Sequence, residues 1–117
     1  MRQRPLVALL YHLPLLVEAL RHALDDVADV RAFESPHSDP SSLLVALAAD
    51  AVIVDSKRDA DAAVAFHRET RRPALYIPFP ELVLYSATAG GWELVPGDLS
   101  PELVATFISD ALAEPAL

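Results

Sequence analysis

Hydrophobic and polar positions alternate along this chain in blocks that change period, and each change marks an element boundary. Leu6-Val7-Ala8-Leu9-Leu10 is an unbroken apolar run of strand length, consistent with a strand buried on both faces. From Pro14 to Leu24 the period lengthens: Leu16, Leu20 and Leu24 recur beside Leu15, Ala19 and Ala23, while Glu18, Arg21 and His22 face away. That is a helix with a broad apolar face, and Pro14 suits its first turn. Val27 to Phe33 alternates as a second strand, and the turn-rich stretch Glu34 to Ser42 leads into a capped helix over Leu43–Ala49. Ala51-Val52-Ile53-Val54 is the third strand, stopped by Asp55-Ser56. Residues 59–70 return to helical spacing and end at Arg71-Arg72-Pro73. Ala74 to Ile77 reads as a fourth strand closed by Pro78-Phe79-Pro80, residues 81–89 as a short irregular or helical piece, and Trp92 to Val95 as a fifth strand. Ser100-Pro101-Glu102 then supplies a cap, a first-turn proline and a first-turn acid for a last helix.

Five strands alternating with helices predict right-handed crossovers and a parallel sheet covered on both faces, a doubly wound α/β fold. In such sheets functional groups gather at the carboxyl ends of strands, near the reversal of strand order. The pattern therefore selects Tyr11 and His12, Asp55 and Ser56, and Pro78 and Phe79 as the candidate functional residues.

Composition narrows this further. The 117 residues suffice for one domain, and a 53% hydrophobic share excludes intrinsic disorder. Seventeen acids against nine bases give a net charge of -8, which opposes direct binding of nucleic acid or an anionic membrane. Without cysteine there is no disulfide framework and no thiolate chemistry. Arg2 and Arg4 precede an apolar run, but Pro14 and the amphipathic segment after it do not read as an export signal, so a cytoplasmic location is expected.

The string Leu9 to Leu20 resembles the start of a response-regulator receiver domain, most closely the receivers of LuxR/NarL-type transcription factors. Ala51-Val52-Ile53-Val54-Asp55 is similar to that family's third strand and phosphoacceptor aspartate. Gly91 to Val95, followed by Ser100 to Val104, resembles its fifth strand and last helix. The resemblance implies a CheY-like (flavodoxin-like) five-stranded parallel sheet over residues 1–113, here with a shortened fourth helix. It also implies that residues 114–117 begin a linker to a helix-turn-helix domain, through which alone DNA would be bound.

The phosphorylation chemistry of the family does not come across with the layout. Phosphoryl transfer to an aspartate needs Mg²⁺ held by hard oxygen ligands. Where the family has an acidic pair, this chain has Tyr11 and His12. Where the family has a hydroxyl, it has Pro78 or Phe79; where the family has a lysine, it has Val95, and Lys57 is the sole lysine of the chain. Asp55 alone remains of the set. The expectation is a non-catalytic pseudo-receiver, a phosphorylation-independent regulatory and dimerisation module with neither cofactor nor metal. Two alternatives stand beside it: a small-molecule sensor, and a conventional receiver phosphorylated on Asp55.

His12 facing Asp55 is a pair that suits zinc or copper, yet His12, His22, His37 and His67 show no metal-ligand spacing. Ser56, Ser86 and Ser100 lack a nucleophile-elbow context, and Gly90-Gly91 precedes a strand rather than opening a helix, so an enzyme is not expected. Tyr76, Phe79 and Trp92, with Tyr85, are candidates to line a ligand pocket at the strand ends. Arg68, Arg71 and Arg72 suit a helix C-terminus. The last helix carries two apolar rows, and Leu103, Phe107, Ile108 and Ala111 are the expected homodimer surface.

Overall fold

The apolar runs at Leu6–Leu10 and Ala51–Val54 have no polar face to show to water, and both become central strands. A computed structural model describes residues 4–35 and 39–113. In chain order the elements are β1 (Leu6–Tyr11), α1 (Pro14–Leu24), β2 (Asp29–Glu34), α2 (Pro40–Leu47) and β3 (Ala51–Val54), followed by α3 (Lys57–Thr70), β4 (Ala74–Tyr76), β5 (Tyr85–Thr88), β6 (Gly91–Leu94) and α4 (Pro101–Ala113). The strands form one six-stranded sheet in the order β2-β1-β3-β4-β5-β6.

Pairing from β2 through β4 is parallel, with Leu9 opposite both Ala32 and Ile53, and Ile53 opposite Leu75. Side chains alternate across these strands. Val7, Leu9, Ile53 and Leu75 join Leu20, Leu24, Val104 and Ile108 in a core beneath α1 and α4. Ala8, Leu10, Val52 and Val54 join Leu44, Ala60, Ala63 and Phe66 in a second core beneath α2 and α3. The fold is therefore α/β, a sheet between two helical layers.

The expected all-parallel, five-stranded sheet with a shortened fourth helix is corrected beyond β4. Residues 85–88 form strand β5, antiparallel to β4 through Leu75–Ser86 and Tyr76–Tyr85. Strand β6 then pairs antiparallel to β5, with Ala87 opposite Trp92 and Thr88 opposite Gly91. The physical reason lies in the punctuation. Pro78 ends β4, and the chain reverses in a turn closed by the Leu82 N–H donating to the Pro78 carbonyl at 2.8 Å. Only a few residues then remain before Gly90-Gly91, too few for a stable apolar helical stripe, and Tyr85 and Thr88 favour extended backbone. Gly91 sits at φ +127°, a conformation open to glycine, and the turn is tied by the Thr88 hydroxyl donating to the Gly91 carbonyl at 3.2 Å. The run expected as the fifth strand is thus real, but it lies at the sheet edge, one strand further from β4.

The expected linker at 114–117, like His37, lies outside the described residues. No helix among the described residues is long and apolar enough to cross a membrane.

Candidate functional site

Strand order reverses between β1 and β3, so their carboxyl ends open one crevice. Tyr11 and His12 arrive there from β1, and Asp55 and Ser56 from β3. Helix α1 starts in the same place with a deficit: its N-cap is Leu13, whose side chain cannot accept a hydrogen bond, and Pro14 follows.

Asp55 supplies the missing acceptor from across the crevice. Its carboxylate accepts the backbone N–H of His12, at 2.9 Å to Oδ1 and 3.0 Å to Oδ2, and the backbone N–H of Leu13 at 3.1 Å to Oδ2. The His12 ring completes the arrangement, with Nδ1 2.8 Å from Oδ1. The Asp55 side chain is 0% exposed, whereas that of His12 is 45% exposed. A buried carboxylate therefore sits at the positive end of a helix dipole, with two backbone donors and an imidazole around it. Both oxygens accept hydrogen bonds, and the side chain has no exposed surface.

A second carboxylate lies close by in the fold, and the pattern of the sequence did not single it out. Ser56 caps α3, its Oγ accepting the Asp59 N–H at 3.2 Å and donating to Asp59 Oδ2 at the same distance. The Ser35 hydroxyl, at the end of β2, also donates to Asp59 Oδ2. Asp59 is buried, and its Oδ1 has no hydrogen-bond partner among the described residues. The Ser56-x-x-Asp59 spacing is a capping-box signal legible in the sequence. The Ser35 contact, which spans 24 residues, is not.

The remaining candidates disperse. Tyr11 packs against the α1/α4 core, as does Val95. Pro78 is buried and Phe79 turns outward. Tyr76 and Trp92 do meet, with ring centroids 5.5 Å apart, and Tyr76 also stacks on Tyr85 at 6.1 Å. Both Tyr76 and Trp92 pack against the α2/α3 core, so Phe79 does not share a pocket with them. Burial raises the Tyr76 phenol above its ordinary value, helped by the charges of Glu81, Tyr85 and Asp55.

Of the histidines, His67 lies with Nδ1 2.8 Å from the Arg72 carbonyl, and His22 is exposed on α1. Among the described residues no group of three or more His, Cys, Asp or Glu side chains is placed to hold a metal. Arg71 is the left-handed C-cap of α3, and the Arg72 guanidinium donates to the Ala49 carbonyl at 2.7 Å, just beyond the end of α2. Of the expected dimer residues, Ile108 is 0% exposed within its own core and is not available to a partner. Leu103, Phe107 and Ala111 are half-buried.

Comparison of the chain with protein-family models, with curated proteins and with solved structures gives no match.

Proposed function

We propose that this chain is an atypical receiver-like regulatory module whose Asp55 serves as structure and not as a phosphoacceptor. One observation carries the reading: the Asp55 carboxylate is spent on the start of α1, held by the N–H groups of His12 and Leu13 and by the His12 imidazole. Phosphorylation would require that carboxylate to leave its donors and expose an oxygen, and Tyr11 and His12 stand where the resembled family carries its Mg²⁺-holding acids. The parallel β2-β1-β3-β4 half of the sheet, helices on both faces, and the resemblance around Leu9–Leu20 and Ala51–Asp55 support a receiver-like ancestry. The β5–β6 hairpin replaces the segment that signals phosphorylation in that family, which is consistent with its loss. The module is not an enzyme in this reading. It acts in the cytoplasm as part of a transcription regulator and reaches DNA only through another domain.

Incubation with acetyl phosphate, or with beryllofluoride and Mg²⁺, leaves Asp55 without an adduct by intact-mass and fluorine NMR measurements. A stoichiometric, Mg²⁺-dependent adduct would restore a phosphorylated switch and overturn the reading. Self-association belongs to the same proposal, through the half-buried Leu103, Phe107 and Ala111 of α4 and without Ile108. Sedimentation showing a monomer at high micromolar concentration removes that part.

A further inference from the structure

Three segments far apart in the chain, 13–20, 77–82 and 99–104, enclose an apolar groove between the first turns of α1 and α4. Its volume is about 330 Å³, and Leu16, Ala19, Ile77, Leu99 and Val104 form much of its wall. Ser100 is the one polar side chain among the described residues lining it. Its hydroxyl accepts the Leu103 N–H at 3.0 Å as the cap of α4, which leaves the O–H as the single side-chain donor this lining offers a ligand.

The rim is built in a manner that core packing does not require. Leu15 is 83% exposed, Phe79 55% and Leu82 48%, three large apolar side chains beside one opening. Leu82 is held at φ +51°, a left-handed conformation that is costly for a leucine. The groove also lies at the carboxyl end of β4, on the side of the sheet where α/β folds bind ligands, and its volume falls at the small end of ligand sites, about 300–1,000 Å³.

Charge selects the occupant. Of the ionisable residues that adjoin lining residues in sequence, Glu18, Glu81, Asp98 and Glu102 are acidic and exposed. Against them stand Arg21 and His12, and His12 is engaged with Asp55. A second copy would bring another net charge of -8 against the first, and a stable protein interface needs about 800 Å² per partner. We infer that the groove is a binding site for a small molecule with a compact aromatic or aliphatic body that is neutral or carries one positive charge. The site stands independently of whether Asp55 accepts a phosphoryl group.

Three probes of one shape test this: naphthylmethylamine, naphthylmethanol and naphthoic acid, titrated into the full chain and followed by amide NMR. The amine and alcohol give saturable shifts confined to residues 13–20, 77–82 and 99–104, and the acid binds at least tenfold more weakly. Ala19→Phe, which fills the groove, abolishes the shifts while the spectrum stays dispersed. Glu81→Gln, which leaves the shape intact, narrows the preference for the amine over the acid. Absence of saturation with all three probes, equal affinity for the acid, or the same residues shifting with protein concentration alone each overturns the inference.

Discussion

Replacing Asp55 by alanine or asparagine distinguishes a structural carboxylate from a reactive one, because the two roles predict opposite signs. A carboxylate crowded by other acids gains stability when neutralised. One that serves as the acceptor for a helix start loses it. Here the carboxylate receives the N–H groups of His12 and Leu13 at 2.9–3.1 Å and the His12 ring nitrogen at 2.8 Å. Hydrogen bonds to a charged acceptor contribute about 1.5–3 kcal/mol each, and loss of an N-cap costs about 0.5–2 kcal/mol. The terms overlap, and recovering the desolvation of a buried charge offsets part of them. Asp55→Ala should therefore lower stability by about 3 kcal/mol. Asp55→Asn keeps one acceptor oxygen but turns an amide toward donors, for a loss of about 1–2 kcal/mol. His12→Ala keeps its backbone N–H and removes only a half-exposed ring contact, so it should cost under about 1 kcal/mol. Urea unfolding with unchanged m-values reads these differences directly, and the alanine variant should melt about 10 °C below the parent. An Asp55→Asn protein as stable as the parent, or more so, would refute the capping role.

Three further outcomes follow from the same contacts. Ile108→Ala should cost about 2–4 kcal/mol in urea unfolding, because Ile108 is fully buried between α4 and the sheet; a loss under about 1 kcal/mol would show it free for a partner instead. Gly91→Ala meets no atom within 4 Å but must adopt φ +127°, so it should cost about 1–3 kcal/mol and quicken amide exchange in residues 85–94. The raised Tyr76 phenol means the folded state holds that proton more tightly than the unfolded chain, whose tyrosines titrate near 10.0. Stability is therefore unaffected by Tyr76 below that pH and falls as pH rises from there through the folded value. Tyr76→Phe should remove this fall, as read by urea unfolding across that pH range.

What was legible in the sequence follows the range of the forces involved. β1 and β3 are buried on both faces, so their identity is written in consecutive residues such as Leu9-Leu10 and Ile53-Val54. Helices α1 and α4 announce themselves by period and by Pro14 and Pro101 at their first turns. Asp55 could be singled out because it closes the most strand-like run, but its partners could not. That it caps α1 depends on β1 and β3 being neighbours in register, which brings Leu13 to a residue 42 positions away. Segment 81–89 failed for a different reason. It is short, apolar and bounded by proline and glycine, a case in which periodicity cannot separate helix from strand. The decision was made by tertiary pairing, Tyr76 with Tyr85 and Ala87 with Trp92. The same pairing explains why the aromatic residues divided as they did. Tyr85 and Trp92 follow the sheet face of Tyr76, whereas Phe79, past the end of β4, is turned by the prolines toward α1 and α4. A ligand site drawn from aromatic content alone therefore joined side chains that belong to two different layers. The groove that does form is walled in part by Leu15, Leu16 and Leu20, which helical periodicity places on the apolar face of α1. The packing buries Leu20 there while leaving Leu15 83% exposed.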